Sequence, residues 1–189
     1  MGRWRRLEVL CGLWVSVAAS CGGGAGAGGG LMTSVSGSQP LATATAAQLA
    51  QLCADTIAYS MQIVSAADSC KLTGLNTAIA AGGTGSATDA QLQEDCSDAS
   101  GHCLAPGDAG AESCDLGDLS SCAPTATISE YTACITEEGA TIKQAVGSFP
   151  ACNAVTASSL SSVSSTLAAA RAGPSCQKLA AACPGMFAS

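Results

Sequence analysis

Aromatic side chains make up 3% of this 189-residue chain, and positive charge is also sparse, with seven Lys and Arg against fourteen Asp and Glu. His102 is the one histidine. Each shortage closes off a class of chemistry. Phosphate recognition needs clustered Arg and Lys, so nucleic acid is not an expected partner. A lone imidazole supplies at most one ligand, which argues against a histidine-built zinc site, and no Cys-His or Ser-His-Asp set is legible. β-Branched residues occur singly and no hairpin dipeptide separates two alternating runs, so no sheet is expected.

What is present begins with a junction. Arg3, Arg5 and Arg6 precede an apolar stretch, Leu7 to Ala19, that is too short for a membrane-spanning helix, which needs about twenty residues. Ala18-Ala19-Ser20 then gives the small residues of a cleavage site before Cys21. Residues 1–20 are therefore expected to be an export signal. The run up to Cys21 resembles a bacterial lipobox, which implies an acylated N-terminal cysteine at position 21. Plain secretion, with Cys21 unmodified, is the alternative. Gly22 to Gly30 contains only Gly and Ala, material that behaves as a flexible coil, so residues 21–44 are expected to be a tether. Gly22 after the acceptor resembles the pattern associated with the Gram-negative outer membrane. Losing residues 1–20 removes three cations and Glu8, taking the formal charge from −7 to −9. Contact with an anionic bilayer should then come through the lipid alone.

Export changes what the twelve cysteines can be. Cys11 leaves with the signal and Cys21 takes the lipid, leaving Cys53, Cys70, Cys96, Cys103, Cys114, Cys122, Cys134, Cys152, Cys176 and Cys183. An even set in an oxidising compartment predicts five disulfides, whereas a thiolate metal site would need close Cys pairs that this chain lacks. Bridges suit a domain rich in Ala, Gly and Ser, whose small side chains bury little apolar area.

Between the tether and the C-terminus the apolar period is helical. Thr45 with Gln48 forms a capping-box start, and the spacing predicts one long helix over 46–69. A short helix is expected from Thr88, with Gln91 three residues on. Gly and Pro mark 99–126 as a long irregular loop. Thr127 and Glu130 open a helix ending near Pro150 and interrupted at Gly139. Another contains Leu160, Val163, Leu167 and Ala170, and a last runs from Ser175 to about Cys183. The expected fold is thus all-α, a small disulfide-stapled helical bundle over residues 45–189. Helical rise keeps Cys53 from Cys70 and Cys176 from Cys183, and disfavours Cys134 to Cys152. A bridge from Cys152 to Cys176 or Cys183 is the easier expectation, and the other pairings stay open.

Beyond these spacings, the CGGG after the cleavage site, VSGSQPL before the first helix, and the segments SCKLTGLNTAIAA, SCAPTATISEYTACI and PSCQKLAAACPG resemble uncharacterised cysteine-rich lipoproteins of myxobacteria. That resemblance implies a location and a scaffold, without a reaction.

Candidate chemistry is thin. Asp108, Glu112, Asp115 and Asp118 form a possible acidic interaction surface, although their spacing fits no calcium loop. His102 is read as an exposed loop residue. Ser175 to Lys178 matches S-x-x-K, but no S-D-N or K-T-G partner follows, and an N-cap serine with a solvated lysine is the plainer reading. Gly82 to Ser86 reads as a linker between helices, since it lacks the lysine of a phosphate loop. Asp95 with Asp98, or Glu137 with Glu138, could serve as acid and base, yet there is no aromatic platform for a sugar. The expectation is a non-catalytic, cofactor-free envelope lipoprotein presenting an interaction domain to an unknown envelope or extracellular protein. A secreted effector or inhibitor is the alternative, and a carboxylate hydrolase the remote one.

Overall fold

The computed structural model describes residues 29–83, 85–104, 116 and 119–187. Cys21, Cys114, Asp108, Glu112, Asp115 and Asp118 lie outside them, as do residues 1–20, read above as an export signal. Among the described residues the regular structure is helical: α1 Ala46–Ile63, α2 Ala66–Gly82, α3 Asp89–Leu104, α4 Ile128–Ala145, α5 Ala157–Arg171, α6 Pro174–Ala182 and the single turn α7 Pro184–Phe187. One isolated antiparallel bridge, Pro40 with Thr127, is the sole extended pairing among them.

The starts follow from capping chemistry. Thr45 with Gln48 and Thr127 with Glu130 form capping boxes, in which the hydroxyl accepts the N3 amide and the N3 side chain accepts the cap amide. Thr156 with Ser159 does the same for α5, and Thr88 with Gln91 ahead of α3. The expected helix over 46–69 stops at Ile63, and a second helix, from Ala66, runs on to Gly82 where none was expected. Val64 is extended and Ser65 caps α2, accepting from the Asp68 amide at 3.1 Å. A new N-cap costs little here because Ser-x-x-Asp satisfies amides that a continuous helix would have used internally.

Two further expectations change. α3 has sixteen residues and continues through 99–104, part of the expected loop, so His102 sits on a helix rather than in a loop. Gly139 does not interrupt α4; an added Cβ there would come within 2.5 Å of Ile63 Cδ1 and 3.0 Å of Tyr59 Cε1. The glycine lets α1 approach α4.

The buried residues form two clusters, and α4 belongs to both. Its N-terminal half, with Ile128, Tyr131 and Cys134, packs with α1, α6 and the residues ahead of α1. Its C-terminal half, with Ile142, packs with α2, α3 and α5 through Leu72, Leu75, Leu92, Leu160 and Val163. At 1.5 Å per residue its eighteen residues extend about 27 Å, enough to join two small cores.

Packing begins well before α1. Leu31, Val35 and Leu41 are buried in the first cluster. The Leu31 amide donates to Thr136 Oγ1 at 2.9 Å, Leu41 N to the Ala126 carbonyl at 2.8 Å, and Ile128 N to the Gln39 carbonyl at 2.9 Å. Residues 30–44 therefore form a strap on α4. Of the segment read as tether, 21–44, the part from Leu31 onward is folded.

Candidate functional site

Nine cysteines, Cys53 and the eight named below, are disulfide-bonded. The pairs are Cys70–Cys103, Cys96–Cys152, Cys122–Cys183 and Cys134–Cys176, while the partner of Cys53 lies outside the described residues. Neither Cys53–Cys70 nor Cys176–Cys183 forms, as expected, though Cys53 and Cys70 lie on separate helices rather than one. The expected bridge from Cys152 to Cys176 or Cys183 is overturned: Cys152 bonds Cys96 on α3. Cys152 precedes α5 and Cys176 follows it, so the fifteen residues of that helix, about 22 Å, separate them. The nine-residue α6 is too short to run back that distance.

The bridges span 33 to 61 residues, and in the chain-entropy model each loop of that size contributes about 4 kcal/mol. That is a large share of the roughly 5–15 kcal/mol that stabilises a typical domain. Thiols paired at this density define the class of the molecule, a disulfide-stapled all-α protein of an oxidising environment. No helix among the described residues is long and apolar enough to cross a membrane.

The carboxylates read as possible acid and base are occupied elsewhere. Glu137 Oε2 accepts the Ser175 amide at 2.8 Å, so it caps the start of α6. Glu138 Oε1 accepts from Arg171 Nε at 3.2 Å at the end of α5. Burial raises the Glu138 carboxyl above its ordinary pKa, with the Arg171 charge opposing the shift. These adjacent residues hold the corner where α5 turns into α6. Gly173 fits there because a Cβ would come within 2.5–2.9 Å of the Glu137 carboxylate.

The S-x-x-K segment resolves differently from the expectation. Gly173 is the N-cap and Pro174 the first helical residue, so Ser175 is not the cap. Lys178 lies 2.8 Å from Glu130 Oε1, and this hydrogen bond, aided by the Thr127 amide, holds Glu130 below the usual carboxylate range. Of the stretch read as a linker, Gly82 to Ser86, Gly82 is the last residue of α2 and the rest leads toward α3, with Gly85 at φ 72° and Thr84 outside the described residues. Asp95 is half-buried and Asp98 exposed on α3. Among the described residues no cluster of three or more His, Cys, Asp or Glu side chains could hold a metal ion.

Two internal fastenings escaped the sequence reading. Asp89 Oδ1 accepts the Ala157 amide at 3.0 Å and Gln93 Nε2 donates to the Val155 carbonyl at 2.9 Å, tying α3 to the start of α5. Tyr131, whose phenol burial pushes up to about 12, shares a 3.1 Å hydroxyl contact with Thr56 in the first cluster. The pairing is set by tertiary proximity across 75 residues, so no local signal marked it.

Of the four Lys and Arg beyond residue 20, three are engaged internally, Lys71 with Asp68 and the Val146 carbonyl, Arg171 with Glu138, and Lys178 with Glu130. What the fold offers as a candidate functional surface is therefore its exterior, anionic in net charge and including exposed Glu94 and Asp98 on α3. Comparison of the chain with protein-family models, curated proteins and solved structures finds no match.

Proposed function

We propose that this chain is an exported lipoprotein, acylated at Cys21, whose stapled helical domain acts as a non-catalytic interaction module at the cell envelope. The observation that carries the reading is the contrast between Cys21 and the other cysteines. Cys21 stands between a small-residue cleavage site and a glycine run. The nine described cysteines are all oxidised in disulfides. The resemblance to myxobacterial cysteine-rich lipoproteins supports an outer-membrane location. The engaged carboxylates Glu137, Glu138 and Glu130 support binding over hydrolysis, because each already neutralises a cation or caps a helix.

Intact mass spectrometry of the mature protein from a Gram-negative host tests this. The expected product begins at Cys21, carries several hundred daltons of acyl chain and partitions with membranes, and Cys21→Ser abolishes the added mass. An unmodified chain recovered in the soluble exported fraction would instead support a secreted effector or inhibitor. Crosslinking of the tethered domain to envelope proteins then identifies the partner, with a basic surface expected on electrostatic grounds.

A further inference from the structure

We infer that the strap of residues 30–44, with Met32 at its head, is the face of the domain that rests on the lipid bilayer. This rests on acylation at Cys21 and goes beyond it, because an anchor alone does not specify an orientation. The first support is reach. Eight residues, and so nine Cα–Cα steps, separate Cys21 from Gly30, and no conformation of nine steps spans more than roughly 30 Å. A domain of about 160 residues has a radius of gyration near 15 Å and so a diameter near 40 Å. Leu31 is pinned to Thr136 on α4. From that point the chain cannot pass around the molecule to set the opposite side against the membrane.

The second support is charge. The sequence from Gly22 to Ala54 contains no Asp, Glu, Lys or Arg, although the exported chain is formally −9. The strap thus adds no repulsion toward an anionic surface. The carboxylates beside its footing on α4 are turned to partners, Glu130 to Lys178, Glu137 to the Ser175 amide and Glu138 to Arg171. The third support is Met32 itself, 82% exposed beside the buried Leu31 and the most exposed large apolar side chain among the described residues. An unbranched apolar side chain held at the mouth of the tether suits the boundary between headgroups and acyl chains.

Both tryptophans, Trp4 and Trp14, precede Cys21, so a tryptophan placed in the mature chain is a sole reporter. Acylated full-length protein carrying Met32→Trp is reconstituted on phosphatidylethanolamine–phosphatidylglycerol vesicles containing brominated acyl chains. The comparison is Ser161→Trp, exposed on α5, the helix that packs in the second cluster. The expected result is severalfold stronger quenching and a blue shift at position 32, with position 161 unaffected. Equal quenching at both sites, or none at either, in protein verified by mass and flotation as acylated and vesicle-bound, overturns the orientation and leaves the lipoprotein reading intact. A blue-shifted but unquenched position 32 would mean burial against protein, such as a second copy, and also overturns it. Absence of acylation removes both readings, and the mass measurement separates that outcome from the others.

Discussion

Replacing Gly74 by alanine should destabilise the domain even though the substitution improves helix propensity. Gly74 lies inside α2 where that helix meets α3. A Cβ built there overlaps the Cys96 carbonyl oxygen and falls 3.1 Å from Cys96 Sγ and 3.2 Å from Cys152 Sγ. Alanine gains about 1 kcal/mol of intrinsic helix preference over glycine. Against this stands a clash with backbone, which no rotamer change relieves. The helices would have to part by a large fraction of an ångström, while Cys70–Cys103 holds them together and Leu75, Ala78 and Leu92, all fully buried, lose contact. Overpacking of this kind costs about 1–3 kcal/mol net, and the rigidity of the obstacle places Gly74→Ala at the upper end, about 3 kcal/mol. For a domain of this size that lowers Tm by roughly 6–12 °C. Gly101→Ala is the matched control: it lies within α3 and an added Cβ meets nothing within 4 Å. It should raise stability by up to about 1 kcal/mol. Thermal unfolding of the oxidised proteins, followed by circular dichroism, reads both. Shifts of the same sign, or a neutral Gly74→Ala, would refute the close-crossing argument.

Arg171→Met should cost about 2–3 kcal/mol at neutral pH, somewhat below the usual figure for breaking a buried pair because the Arg171 side chain is 34% exposed. The Glu138 pKa is raised in the fold, so the charged carboxylate opposes folding above the ordinary glutamate pKa, and this opposition disappears as the pH falls through the raised value. The loss in Arg171→Met should therefore shrink on acidification, and urea titrations giving equal losses at pH 7 and pH 4 would contradict it. Burial raises both Tyr59 and Tyr131 above 10, Tyr131 to about 12, so the stability they contribute is complete below pH 10 and is lost as the pH rises beyond it. Ultraviolet titration should show neither phenol ionising at the ordinary tyrosine pKa while the fold persists. Peptide mapping under non-reducing conditions should recover the four bridges named above together with a Cys53–Cys114 peptide, and recovery of Cys53 joined to Cys21 would defeat the lipid reading. Reduction should unfold the domain, since the bridges contribute on the scale of its whole stability.

The local chemistry of helix starts was readable directly. Thr45-x-x-Gln48, Thr88-x-x-Gln91 and Thr127-x-x-Glu130 each satisfy their own amides within four residues, so they act wherever the chain places them. Ser65-x-x-Asp68 carried the same kind of signal, yet the apolar period running across it suggested one rod. Of the candidate site residues, the engagement of Glu137, Glu138 and Lys178 was not legible, because their partners are supplied by other helices.

Residue types and short spacings therefore determined the helical class, the oxidised state expected of the cysteines and the exclusion of Cys176–Cys183, all of which follow from helical rise and side-chain chemistry within a few turns. Tertiary structure alone decided which helix each cysteine reaches, why Cys152 finds Cys96, and that residues from Leu31 onward fold back on α4. Those outcomes depend on how elements far apart in the chain pack around the shared helix α4. Packing distances between such elements are not encoded in any local period.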